Sequence, residues 1–402
     1  MSIKARYRFL HNTKDISTCF ETVECDEAGI RIMAEKAVFL SIELQHISLR
    51  AAIILKQEMM AIGGEVVLSR EVMTLKPEKT KSIVLGTKKQ YKKLIQKLYQ
   101  QPFGCKEIAD VLKYVVDQQE KQEGKWEWKG KTLDFSRPLI MGILNVTPDS
   151  FSDGGKYFDT QKAIAHAKNL IEEGADSIDV GGETTKPGSD PVSKEEEIKR
   201  VLPIVRALLQ DKTITIPISI DTTKPEVARV CLEEGVHIIN DVTGMRNPQM
   251  RKLAAQYNIP VIMMHMQGSP KTMQQNPQYT DVVDEIIDFF EAQIEVCKRE
   301  GVTKIICDPG IGFGKTVAQN MEILKRLKEF SVLGVPIMVG TSRKSFIEKT
   351  VGGSVDDRLE GTLASNVIAC MNGAGIFRVH DVKVCRRSLD LTAMILNGEK
   401  EK

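Results

Sequence analysis

The chain has 402 residues, of which 42% are hydrophobic and 27% charged, and a formal net charge of +2. That length accommodates two domains, and the near-neutral balance excludes a protein drawn to nucleic acid or anionic membrane by charge alone. The opening MSIKARYRFLHNTKD has no continuous apolar run of the secretory kind, and no stretch approaches the roughly 20 apolar residues of a spanning helix.

The eight cysteines, Cys19, Cys25, Cys105, Cys231, Cys297, Cys307, Cys370 and Cys385, are scattered without a C-x-x-C pair. Spread in that way they predict free thiols in a cytoplasmic protein. In the first third, Ala51–Ile62 reads as a helix, Glu65–Leu68 and Ser82–Leu85 as strands, and Lys88–Tyr99 and Lys106–Val116 as helices. Residues 1–120 are therefore expected to form a small α+β accessory domain. Eight lysines fall between Lys76 and Lys97, which reads as a solvated face before it reads as a dock for an acidic partner. The fully polar QQEKQEG of residues 118–124 then separates two textures.

Trp126, Trp128, Leu133 and Phe135 alternate with polar residues around Gly130, which predicts a β-hairpin. A regular alternation follows. Apolar strands are placed at 138–144, 176–180, 217–221, 237–240, 260–264, 304–308, 335–340 and 375–379. Between them lie helical patterns, with Ala163, Ile164, Ala167, Leu170 and Ile171 sharing one face and Val283, Ile286, Ile287, Phe290 and Ile294 another. Eight strands alternating with helices predict a (β/α)8 TIM barrel over 124–400, ahead of a doubly wound open sheet. The hairpin is expected to cap its N-terminal mouth.

In a TIM barrel the C-terminal strand ends converge on one mouth, where the chemistry takes place. Here those ends carry Asn145, Gly181-Gly182-Glu183, Asp221, Asn240-Asp241, His265, Asp308, Ser342-Arg343-Lys344 and Arg378-Val379-His380. Any one of them reads as readily as a helix cap; eight together read as a ligand site. Carboxylates and an amide suit a flat base with N–H donors, and Arg343, Arg378 and His380 suit a phosphate. Gly310–Thr316 imitates a nucleotide loop, but Pro309 stands where that loop needs glycine, so it is expected to position Asp308 and Phe313. His11, His46, His166 and His237 lack metal-ligand spacing.

In order, MGILNVTPDSFSDGG, GADSIDVGGETTKPGS, ISIDTTKPEVA, IINDVTG, MMHMQGSPKTMQ, DPGIGFGK, GTSRKSF and RVHDV resemble the motifs of dihydropteroate synthases, over about residues 124–395. The resemblance implies a transferase of folate biosynthesis and sulfonamide target. Such enzymes join 6-hydroxymethyl-7,8-dihydropterin pyrophosphate to p-aminobenzoate, release pyrophosphate and use Mg2+, commonly as homodimers. By resemblance, Asp221, Asn240, Met264, Asp308, Lys344 and Arg378 match pterin positions. Asn145, Arg378 and His380 match pyrophosphate positions, with Asn145 also on the metal side. Thr184, Thr185, Pro187, Phe313 and Ser345, with Lys344, match the p-aminobenzoate pocket. Lys344, Arg378, His380 and Asn145 are the implied catalytic set.

Three positions depart from the family pattern. Lys186 stands for arginine in the second loop, Thr223 for an aromatic residue, and Gln267 for arginine. The rivals are a pterin-dependent methyltransferase barrel, which needs neither GTSRKSF nor GGETTKPGS, and a silent pterin-binding protein, which has no use for Asn145, Lys344, Arg378 and His380.

Overall fold

The computed structural model describes residues 3–6, 8, 10, 13–74, 78–118, 124–146, 156–184, 191–268, 273, 276–354 and 356–397. The chain divides into two units, Met1–Lys121 and Gln122–Lys402.

In the first unit a three-stranded antiparallel sheet has the order β1-β3-β2, from β1 (Phe39–Ser48), β2 (Glu65–Leu68) and β3 (Lys79–Thr87). Helices α1 (Thr13–Glu21) and α2 (Glu27–Ala37) precede it, α3 (Leu49–Met60) connects β1 to β2, and α4 (Lys88–Leu98) and α5 (Cys105–Gln118) follow. Leu55, Met59, Val84, Tyr91, Leu94, Leu98 and Leu112 form its core. Thr87 opens α4 through a reciprocal cap with Gln90. The lysine-rich stretch finds acids on its own unit: Lys81 pairs with Glu43, Lys92 with Glu35 and Lys97 with Glu58. That favours the solvated-face reading.

The unanticipated elements here are α1, α2 and β1. In β1 the pairing with β3 slips between Leu44 and Ile47, and His46 takes φ +57°. This bulge breaks the period of two, so Ile42, Leu44 and Ile47 are all buried without regular alternation.

The second unit opens with the hairpin, β4 (Lys125–Trp128) paired antiparallel with β5 (Lys131–Asp134). The barrel strands follow: β6 (Leu139–Asn145), β7 (Ser177–Gly181), β8 (Ile218–Asp221), β9 (Ile238–Asp241), β10 (Val261–Met264), β11 (Ile305–Asp308), β12 (Met338–Val339) and β13 (Ile376–Val379). They form one parallel sheet of order β11-β10-β9-β8-β7-β6-β13-β12. A parallel bridge between Cys307 and Ile337 joins its two edges, and the barrel closes. The strands are buried almost throughout, which is why they read as apolar runs without alternation. β12 is shorter than its apolar run because Gly334 in a left-handed turn and Pro336 delay its start.

The helices α6 (Lys156–Glu172), α7 (Lys194–Gln210), α8 (Pro225–Glu234), α9 (Pro248–Tyr257), α10 (Val282–Arg299), α11 (Val317–Lys325), α12 (Ser345–Val351), α13 (Leu359–Met371) and α14 (Val382–Asn397) surround it. Pro225 and Pro248 stand in the first turns of α8 and α9, where a missing N–H costs nothing.

The hairpin meets the N-terminal ends of the barrel strands. The buried Trp128 indole N–H donates to the His237 carbonyl, just before β9, at 3.0 Å. Lys131 donates to the Thr215 carbonyl, just before β8, at 2.7 Å. His237 itself is a satisfied core residue, since its Nδ1 accepts the Ile218 amide at 3.1 Å and burial lowers its pKa to about 4. Trp128→Ala is expected to cost about 3–5 kcal/mol, the usual range for a buried aromatic truncation. Urea denaturation followed by tryptophan-independent circular dichroism checks this; an unchanged midpoint would mean the hairpin is dispensable to the barrel.

Candidate active site

Parallel register brings the predicted strand ends side by side. Asn145 pairs with Gly181, Gly181 with Asp221, and Asp221 with Asn240. Four consecutive strands therefore present residues at or next to their C-terminal ends in one row. Gly181 lies close between its neighbours: a Cβ there would be in ordinary contact, 3.6 Å from Asn145 Oδ1 and 3.7 Å from Asp221 Oδ2. Further round, Met264 pairs with Asp308.

A buried polar network ties the row together. Asp179 Oδ2 accepts from Asn240 Nδ2 at 2.9 Å and from Arg378 Nε at 2.7 Å. Arg378 Nη2 donates to Asp221 Oδ2 at 2.8 Å. Arg378 reaches across from β13, so one guanidinium joins strands β7, β8 and β13. Burial would lower its pKa, but Asp179 and Asp221 outweigh burial and hold it above the ordinary value. Burial raises the Asp221 carboxyl to about 7. Arg378 opposes that rise, and Asp179, Glu197 and Asp241 add to it.

Asp308 and Lys344 make the second half of the site. Asp308 Oδ1 accepts the Gly310 amide at 2.7 Å, and burial raises its pKa against the opposing charge of Lys344. Burial lowers the Lys344 ammonium to about 8, with Asp308 opposing the shift and Arg378 adding to it. Lys344 Nζ donates to the Ile311 carbonyl and sits 4.6 Å from the centre of the Phe313 ring. This close approach needs glycine at 312, which has φ +82° and where a Cβ would stand 2.9 Å from Lys344 Cδ. The loop is thus a glycine-tight βα connection that positions Asp308 and Phe313, as expected from its sequence, and that also meets Lys344.

Met264 joins Val242, Met266 and Met273 in an apolar cluster against which Phe313 packs. Ser345 is the first residue of α12. His380 Nδ1 and the Ser342 hydroxyl lie 3.0 Å apart, and the Ser342 oxygen also accepts the His380 amide at 3.2 Å. Thr184 is described at the exposed edge of the second loop, whereas Thr185, Pro187 and Lys186 lie outside the described residues, as does the first loop, 147–155.

One expectation changes. Arg343 was grouped with the phosphate-seeking cations, yet its Nε and Nη2 donate to Asp381 at 2.9 and 2.5 Å, and it takes φ +56°. Its guanidinium clasps the loops after β12 and β13 together. Asp241, one residue past Asn240, takes the local-cap alternative, with Oδ1 accepting the Thr243 amide and hydroxyl and Oδ2 the Met245 amide. Gln267, standing for arginine, forms a two-point contact with the backbone of Gln278.

The sequence reading passed over Asp179, Glu197 and Lys315. Asp179 lies two residues inside its strand. The available signal was a lone carboxylate in an otherwise apolar buried run, which requires a partner. Lys224 ties Glu183 of the second loop to Glu197 of α7, at 2.6 and 2.5 Å, and Glu183 also accepts the Val192 amide at 2.8 Å.

Comparison with known proteins places this geometry. The family model described as pterin binding enzyme matches residues 141–380. A dihydropteroate synthase of Escherichia coli is 46% identical over 276 residues, 68% of this chain and 97% of the relative. A probable bifunctional folylpolyglutamate synthase/dihydropteroate synthase of Halobacterium salinarum is 38% identical over 371 residues, 92% of this chain and 44% of that protein. Those 371 residues exceed the second unit, so the alignment reaches into the first. Among solved structures, a Yersinia pestis dihydropteroate synthase in a sulfonamide complex superposes with TM-score 0.64 at 42% identity, covering 68% of this chain and all of that one. A Xanthomonas albilineans dihydropteroate synthase with 4-aminobenzoic acid does so with TM-score 0.64 at 38% identity, covering 68% of this chain and 99% of that one. With the strand-end row, the motif order and these likenesses in agreement, the chain belongs to the pterin-binding enzymes and, among them, to the dihydropteroate synthases, the transferases of folate synthesis.

Proposed function

We propose that the polar strand ends bind 6-hydroxymethyl-7,8-dihydropterin pyrophosphate and that the chain transfers its pterin-methyl group to p-aminobenzoate. The observation that carries this reading is the Asp179–Asn240–Arg378–Asp221 network beside the Asp308–Lys344 pair. It supplies acceptors for a donor-rich ring edge and cations for an anion within one buried mouth. Asp221, Asn240 and Asp308 accept from or fix the pterin edge, Lys344 donates to the ring, and Met264 covers a face. Arg378, His380 and Asn145 hold the pyrophosphate. Thr184, Thr185, Pro187, Phe313 and Ser345 surround the arylamine.

The C–O bond at the exocyclic CH2 breaks with its electron pair going to pyrophosphate, and the amine nitrogen forms the new C–N bond and loses a proton. Fixed cations at the leaving group stabilise the charge as it develops. Among the described residues no group of three or more His, Cys, Asp or Glu could enclose a metal ion. The Asn145 side-chain oxygen is a hard donor of the sort Mg2+ accepts beside substrate phosphates and waters, so the site fits an ion that arrives with the pyrophosphate. When bound, that ion neutralises the leaving group's charge.

The test is a ranking. Asp308→Asn should weaken pterin binding more than Asp241→Asn, because the Asp241 carboxylate is already spent on Thr243 and Met245. A charge-assisted hydrogen bond is worth about 1.5–3 kcal/mol, so the expected loss at Asp308 is about tenfold or more. Calorimetry with a pterin ligand decides; equal losses would remove Asp308 from the pocket.

The first unit is proposed to be an accessory domain in a cytoplasmic homodimer. Exposed Ile368, Met371, Leu391, Met394 and Ile395 on the mutually packed α13 and α14 support self-association. No helix among the described residues is long and apolar enough to cross a membrane. A chain begun at Gln122 should retain turnover in a steady-state assay; an inactive but folded truncation would show that the first unit contributes to the site.

A further inference from the structure

We infer that Lys315 is a positioning residue that sets the arylamine side of the site by holding the loop Gly310–Gly314 in place. This rests on the reading above that Phe313 faces p-aminobenzoate while Lys344, beside it, donates to the pterin ring.

Lys315 is 3% exposed. Its Nζ lies 2.9 Å from the Phe313 carbonyl, 3.0 Å from the Gly310 carbonyl, and 3.2 Å from both the carbonyl and the Nδ1 of His265. The three carbonyls are uncharged acceptors, and the fourth neighbour is a His265 ring nitrogen whose role follows its tautomer. Burial works against the ammonium, and the charge of Asp308 opposes that cost only in part; an apolar side chain of the same length would avoid it. What the lysine supplies is N–H donors in three directions. They satisfy two carbonyls of the loop and one at the end of β10, and so tie the loop to that strand. Gly310 allows the approach: with φ +70°, it stands where a Cβ would come 2.1 Å from the His265 carbonyl.

The groups that Lys315 holds sit next to those that orient Lys344. Ile311 offers its carbonyl to Lys344, and Phe313 places its ring beneath the Lys344 ammonium. Ile311 lies between the two loop carbonyls that accept from Lys315, and Phe313 itself carries the second of them. The far side of the loop is held separately, by Asn320 Oδ1 on the Gly312 amide at 2.7 Å and by the Tyr279 hydroxyl on the Gly314 carbonyl at 3.0 Å. Losing Lys315 should therefore tilt the loop instead of unfolding it, and Phe313 and the Lys344 head should move together. Asn240 and Arg378 rest on strands and should not follow.

The test measures KM for each substrate and kcat in full-length Lys315→Met, Lys315→Gln and Phe313→Leu, with thermal denaturation alongside. The expected result for Lys315→Met is a rise of about tenfold in KM for p-aminobenzoate and a fall of similar size in kcat. KM for pterin pyrophosphate should rise clearly less, because only its Lys344 contact is disturbed while Asp221, Asn240 and Arg378 stay in place, and Lys315→Gln, which keeps two N–H donors, should recover part of the loss. Phe313→Leu should raise the p-aminobenzoate KM as well. If Phe313→Leu does so and neither Lys315 variant does, the positioning role is overturned while the site reading stands. If Phe313→Leu leaves that KM unchanged, the site reading itself fails. Equal increases in both KM values, tracking the loss of thermal stability, would reduce Lys315 to a structural residue. Should Lys315→Met not fold, the glutamine variant alone decides by the same split.

Discussion

Lys344→Ala is expected to lower kcat/KM by about 10- to 100-fold, because a charge-assisted hydrogen bond to the pterin ring, worth about 1.5–3 kcal/mol, is lost. Lys344 ends the polar segment after β12 and is oriented by the Ile311 carbonyl and the Phe313 ring. Burial and Arg378 lower its pKa and Asp308 opposes them. The half-buried side chain is thus held at the mouth of the site by contacts that exist before the substrate arrives. Pterin binding should weaken together with turnover, because the same head group donates to the ring. Calorimetry and steady-state kinetics on one preparation check both. A variant that keeps pterin affinity and loses only turnover would move Lys344 away from the ring and toward the leaving group.

Arg378→Met should damage stability as well as activity. The guanidinium is the shared partner of Asp179 and Asp221, and removing one member of a buried ionic group costs about 3–5 kcal/mol because the remaining charges stay buried. The effect should depend on pH in a definite sense. Asp221 is raised in the folded protein, first by burial, and Arg378 is what restrains the rise. A raised carboxyl keeps its proton in the folded state where the unfolded chain has lost it. Its contribution to stability therefore falls as pH rises from the unfolded value, near 3.8, through about 7. Without Arg378 that window extends upward, so the loss should be larger at about pH 8 than at about pH 5. Urea titrations at the two values test this, and a loss independent of pH would contradict it. Adding Asp221→Asn should recover part of the stability, since an amide needs no counter-charge.

Much of the barrel and of its mouth was legible in the sequence. The eight apolar runs were readable because parallel strands are buried on both faces, and Asn145, Asp221 and Asn240 stood out because each interrupts such a run at its end. Parallel register then did what a single sequence only implies, setting those ends in one row. Asp179 was missed because it lies within a strand, where alternation and not chain position turns it toward its partners. Arg343 was misjudged because its partner, Asp381, is 38 residues away in sequence and arrives only through closure of β12 against β13. Lys315 was absorbed into a glycine-rich motif, since nothing local announces that its acceptors are backbone carbonyls. β1 escaped because a bulge at His46 destroys the period by which strands are recognised.

The most direct measurement supplies the full-length protein with 6-hydroxymethyl-7,8-dihydropterin pyrophosphate, p-aminobenzoate and Mg2+ and follows both products. The account predicts one dihydropteroate and one pyrophosphate for each p-aminobenzoate consumed, with competition by a sulfonamide against p-aminobenzoate and loss of both products in Lys344→Ala. Pyrophosphate release without dihydropteroate, or pterin binding without any turnover in the presence of both substrates and Mg2+, would contradict it.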